Sequence, residues 1–290
     1  MKLSQTNYKR IIKFQRDEIT ASILYKKIAQ KIKDDSKKMA LLEFAAAEYE
    51  HYKIWYDFTQ KEVKPDWFTV MIYNVLFFIL GQTFIIRYME RKEKYTQMEL
   101  QQISEQIPVA KTIILQEEEH EMRLIAMIDE ELKYVGSVVL GLNDALVELT
   151  GTIAGITFAL MNTRLVALAA IVTGGAATLS MAASNYLAQR AEKRDDALRS
   201  SIYTGSAYLI TVVLLVLPYL VLPDGYYISA FIIMIAVAVF IIFSFNYYIA
   251  VVQATEFWPK FFEMALISLG VAALSFAIGI AAKYFLGVNV

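Results

Sequence analysis

The chain of 290 residues contains no cysteine. Disulfides, iron–sulfur clusters and zinc–thiolate sites are therefore excluded. The formal net charge is −1, and without a basic excess no nucleic acid is expected as a partner. The opening stretch, MKLSQTNYKRIIKFQRDE, lacks an apolar core segment and does not read as a secretory signal. The first half is expected to stay in the cytoplasm. Histidine is scarce too: there are only two.

The near-zero balance hides two unlike halves. Residues 1–136 carry 21 Lys+Arg and 21 Asp+Glu, whereas residues 137–290 carry 7 and 8. The length suits two domains, expected at 1–135 and 136–290. In the second, five apolar segments are long enough to cross a bilayer, at 138–160, 165–187, 202–222, 226–252 and 261–284. Arg190, Lys193, Arg194 and Arg199 lie between the second and third, and Lys260 between the fourth and fifth. The opposite connections hold a single arginine, Arg164. The positive-inside rule then places the first domain in the cytoplasm and the C-terminus outside.

Charges inside these segments are few. Asp144 and Glu148 stand one turn apart in the first. An ionisable group in hydrocarbon marks a functional site by default; the plainer alternative is a pair of hydrated groups near the interface. Gly151-x-x-x-Gly155 follows and permits close approach of another helix. The second segment is rich in small residues and holds Met181 and Asn185. A methionine there is usually apolar filler, although a thioether is also a soft metal ligand.

GLNDALVELTGTIAGI followed by SMAASNYLAQRAE resembles the vacuolar iron transporter family, over about residues 135–290. The resemblance implies a dimeric five-span carrier in a prokaryotic cell membrane, exporting Fe²⁺ or Mn²⁺ from the cytoplasm against protons. It implies Asp144 and Met181 on the metal path. The family's glutamate eight residues before the methionine is Thr173 here, so the proton-coupling group differs; Glu148 is the remaining candidate.

In the polar half two amphipathic helices are expected at 7–33 and 36–61. Leu41, Phe44, Ala45, Tyr52 and Trp55 recur there at helical spacing. Each histidine closes a Glu-x-x-His pair: Glu48 with His51, and Glu117 with His120. Residues three apart share a helix face, and charge on an inward face needs a partner. A two-metal helical bundle takes a Glu-x-x-His from each of two helices and one Glu from each of the other two. Glu18 and Glu90, upstream of the two motifs, supply those and make a weak internal repeat. Other acids, among them Glu50, Glu118, Glu119, Glu130 and Glu131, are expected to face solvent or steer cations.

This half resembles the ferritin-like superfamily and, within it, the rubrerythrins. The resemblance adds Glu93 as a seventh ligand and implies that Glu48 and Glu117 bridge two Fe or Mn ions. Tyr25, two turns from Glu18, is expected as a core tyrosine, the alternative being a hydrogen-bond donor near the site. No rubredoxin-type tail is present. Fusion of the two parts resembles the membrane-bound ferritins. The expected fold is all-α: a ferritin-like four-helix bundle followed by a five-helix transmembrane domain. The apolar run 70–86 is read as a bundle helix, a crossover or an element shared between subunits. A membrane span there would put Glu117 and His120 on the opposite side from Glu48 and His51.

The expected function is metal export with a cytoplasmic site that loads, senses or oxidises iron. Obligate oxidation ranks below loading, because Fe³⁺ suits a divalent path poorly. The alternative is a rubrerythrin-type peroxidase or ferroxidase for which the spans are only an anchor.

Overall fold

The computed structural model describes residues 5–286, without the side chains of 6, 125–131 and 286. The described residues form helices and no strands. The chain divides into two compact units, the first running to Glu130 and including Val251–Ala254, the second made of Glu131–Ala250 and the residues from Thr255 on.

The first unit holds α1 (Gln5–Ala29), α2 (Asp35–Thr59), α3 (Trp67–Ile103) and α4 (Val109–Leu132). Asp34 caps α2 by accepting from the Lys37 amide, and Asp66 caps α3 by accepting from the amides of Phe68 and Thr69. These caps satisfy amides that the first turn leaves free. They also set the start of α2 one residue before the expected 36, while α1 stops at Ala29 rather than residue 33.

Cross-contacts give the helix directions. Gln15 bonds Thr59 and Ser22 bonds Ala45, so α1 and α2 are antiparallel. Lys13 pairs with Glu99 and Asn7 with Gln106, so the end of α3 also runs against α1. Glu43 meets Arg123 while His51 meets Gln116, and α4 therefore runs against α2. Ile11, Phe14, Trp55, Leu100, Ile103 and Ile113, drawn from all four helices, form the core between them.

α3 is broken at Gly81, whose backbone (φ 82°, ψ 176°) is not helical. Only glycine adopts that region readily. Before the break the chain runs alongside α1, with Asp66 near Thr20 and Asn74 near Lys31. After it the direction reverses, and Tyr73 packs edge-on against Tyr88. The apolar run 70–86 is thus a hairpin of two arms. Among the described residues six helices, α3 included, are long and apolar enough to cross a membrane. The arm before Gly81, however, is about 21 Å long at 1.5 Å per residue, short of a roughly 30 Å hydrocarbon core.

The second unit holds α5 (Val135–Leu160), α6 (Thr163–Ala191), α7 (Ala197–Val221), α8 (Tyr227–Val252) and α9 (Phe257–Leu286). α5 is central and runs parallel to α9. A Cβ on Gly151 would meet Val271 and Ser275, and one on Gly279 would lie 2.3 Å from the Gly155 carbonyl oxygen. The expected close approach at Gly151 and Gly155 is thus made by α9. At one end Asn185 donates to Ser200 and Thr204, and Thr204 donates to the Ser137 carbonyl. That bonding ties α5, α6 and α7 together where apolar packing is thin. At the same end Lys133 and Arg194 pair with Asp196, holding its carboxyl far below the usual range. The opposite end carries the Arg164–Asp224 pair.

Candidate metal centre

The best-formed polar cluster lies inside the first unit. Glu18 from α1, Glu48 and His51 from α2, and Glu117 from α4 offer donor atoms that all lie within 4.8 Å of one another. All four are buried. His51 Nδ1 is 2.9 Å from Glu117, 3.8 Å from Glu18 and 3.9 Å from Glu48. Metal–ligand bonds of roughly 2.1 Å set opposed donors about 4.2 Å apart, so a small contraction would close the group on an ion.

The remaining sequence candidates surround this group and are engaged differently. His120 is 3.8 Å from Glu117, with its ring centroid 6.2 Å from that of His51. Glu93 accepts a 2.9 Å hydrogen bond from the buried Tyr25 hydroxyl. Glu90 is turned to Arg87, 2.8 Å away and also buried. Glu50, Glu118 and Glu119 are exposed. The side chains of Glu130 and Glu131 lie outside the described residues.

Three contacts escape a reading of the sequence. Arg87 lies one turn before Glu90, a spacing that puts both on one face. Gln116 sits 2.9 Å from His51 Nε2 and orients the ring. Trp55, expected only as an apolar residue, donates to Glu18 at 3.2 Å. Bonds of this kind commonly fix metal-ligating side chains from behind.

The donor set fits a metal ion. His51 Nδ1, His120 Nδ1 and Glu117 Oε2 are buried without hydrogen-bond partners among the described residues. Although His51 and Glu117 are close, the ring nitrogen is not aligned with the carboxylate. Buried polar atoms are normally satisfied, and these face one another across one small space. Carboxylate oxygens with imidazole nitrogens suit Fe²⁺ or Mn²⁺.

Electrostatics support the same reading. Burial, then the charges of Glu117 and Glu18, raise Glu48 well above the carboxylate range. Burial and Glu117 push Glu93 up to about 8. For His51 burial works against protonation, but the carboxylates of Glu117 and Glu18 beside the ring outweigh it and carry it up to about 10. Burial also opposes ionisation of Glu117, yet His120 and His51 hold it low. The pocket thus gathers more negative charge than it holds comfortably. A cavity of about 350 Å³, lined by Glu50, His51, Gln116, Glu119, His120 and Arg123, opens beside both imidazoles.

In the second unit Asp144 is half-buried on α5. Glu148 is exposed and accepts from the Tyr208 hydroxyl at 2.9 Å. Met181 is half-buried at the edge of the core. A Cβ on Gly174 would touch Leu149. Five residues on from that contact along each antiparallel helix, Asp144 comes level with Leu179, two residues before Met181. Thr173 is exposed, its hydroxyl bonded to the Ala169 carbonyl.

A family model described as the VIT family matches residues 135–197, the stretch that forms α5 and α6. No curated protein and no solved structure matches the chain. The matched segment and the long apolar helices mark an integral membrane protein.

Proposed function

We propose that the protein exports Fe²⁺ or Mn²⁺ across a prokaryotic cell membrane and receives the ion in a ferritin-like, rubrerythrin-type domain on the cytoplasmic side. The observation that carries the reading is the convergence of Glu18, Glu48, His51 and Glu117, in a chain whose residues 135–197 match the VIT family model. The directions of α1–α4 support the ferritin-like part: α2 and the end of α3 both run against α1, which requires a long crossover, and the arm before Gly81 supplies it.

In this reading Glu18, Glu48, His51, Glu90, Glu93, Glu117 and His120 would hold two ions, Glu48 and Glu117 being ligands common to both Glu-x-x-His halves of the site. The bound metal supplies Lewis acidity and, if iron, one-electron chemistry. The chain's own part is to gather and orient. Exposed Glu50 and Glu119 at the cavity mouth attract the cation, Gln116 and Trp55 hold two ligands in place, and the buried carboxyls exchange protons for metal. Across the membrane Asp144 and Met181 offer a carboxylate and a thioether at one depth. Glu148 and Thr173 are exposed on their helices, and a second copy covering that face makes the transporter a homodimer. Glu148 is then the available group for proton exchange.

The deciding experiment is Fe²⁺ and Mn²⁺ flux in sealed proteoliposomes, wild type against Asp144→Ala. Loss of flux in the variant is expected; unchanged flux removes the transport path. The cavity beside the imidazoles favours a second reading, a membrane-anchored peroxidase or ferroxidase, because it admits a small oxidant. That reading expects peroxide turnover with no metal flux in the wild type.

A further inference from the structure

The two lobes of the proposed metal site are not equivalent. Glu18, Glu48, His51 and Glu117 already converge, whereas Glu90 is committed elsewhere. Its carboxylate binds Arg87 at 2.8 Å, and the exposures of the two residues are only 7% and 8%. A buried charge is tolerated when it is paired, and here the partner of Arg87 is a carboxylate that the two-metal pattern also requires. The pairing is incomplete, because Arg87 Nε is buried with no hydrogen-bond partner among the described residues. A guanidinium has five donors to satisfy, so a single contact to Glu90 is a poised arrangement rather than a locked one.

Resting on the two-metal reading, we propose that Arg87 is a placeholder cation that makes the ions load in order. The first ion enters the lobe of Glu18, Glu48, His51 and Glu117. The second binds only when Glu90 exchanges the guanidinium for the metal. Before loading, Arg87 neutralises Glu90 in an acid-rich interior. During loading it sets a threshold, so the site holds one ion at low metal and two at high metal.

The test is Mn²⁺ titration of the full-length protein in detergent, followed by calorimetry and by electron paramagnetic resonance, which separates isolated Mn²⁺ from exchange-coupled pairs. In the wild type the first equivalent should give isolated ions, and the second should bind at least about tenfold more weakly. Arg87→Gln should tighten the second ion by about tenfold and leave the first within about threefold. Coupled pairs at the first equivalent in the wild type, or an unchanged affinity ratio in Arg87→Gln, would overturn the proposal. Should Arg87→Gln not fold, Arg87→Met/Glu90→Leu carries the test, because an apolar pair can replace a buried ion pair. It should bind one ion with near wild-type affinity; a second ion bound as in the wild type, or loss of the first, refutes the ordered scheme. Two equal ions in the wild type would remove the order and leave the site standing, whereas no Mn²⁺ at all would remove both.

Discussion

Glu117 is the residue on which the metal centre turns, since it reaches both imidazoles, His51 at 2.9 Å and His120 at 3.8 Å. Glu117→Gln keeps the shape and removes the charge. It is expected to weaken Mn²⁺ binding by about 100-fold, measured by calorimetry; a change under about threefold would move the centre elsewhere. Protonation follows from the same crowding. A group whose pKa is higher folded than unfolded stabilises fully below its unfolded value and loses that contribution as pH rises through the folded one. For Glu93 the window runs from 4.5 to about 8, and for His51 from 6.5 to about 10. Glu117, held low, has the opposite sign and acts only at the acid end. The melting temperature of the metal-free protein should therefore fall between pH 6 and pH 9, followed by scanning calorimetry. Metal binding displaces these protons and should tighten over the same range. A metal-free melting temperature that rises with pH would contradict the assignment.

Among the elements, α5 and α9 meet in close backbone contact at Gly155 and Gly279, beside the Phe158–Phe276 ring pair. Gly279→Ala would drive a methyl to 2.3 Å from the Gly155 oxygen, an overpacking expected to cost about 1–3 kcal/mol. Gly175, on α6, has open space around its missing Cβ. Gly175→Ala should be neutral or stabilise by about 0.5–1 kcal/mol. Unfolding of both variants in mixed micelles checks the contrast, and equal effects would rule out the close approach. The Gly151–Gly155 motif was legible from its spacing, but the helix that fills it was not, because small residues line several faces of this half. Gly81 was less legible still. A lone glycine in an apolar run says nothing of direction, and only the contacts on either side of it reveal the reversal.

At the scale of the whole molecule, each unit has its own core and its own polar site. Asp144→Ala is expected to abolish metal flux while Mn²⁺ binding in the first unit stays within about twofold, because sites with no shared partners act additively. Flux and binding lost together would show that one ion site serves both. The division into a polar and an apolar half was plain from charge density. The two Glu-x-x-His pairs already pointed to buried acids gathered from separate helices, and packing brings Glu18, Glu48 and Glu117 within reach of one another.

The amino-acid sequence by itself determined the local properties: helices from periodicity, membrane-length segments from apolar runs, and a shared face for each Glu-x-x-His pair from its spacing. These depend on residues within a turn or two of one another. Tertiary structure alone decided which carboxylates meet, that Glu90 faces Arg87 and Glu93 faces Tyr25, and that the chain doubles back at Gly81. Those outcomes depend on residues far apart in the chain competing for the same buried space, where each charge settles beside whatever partner packing brings within reach.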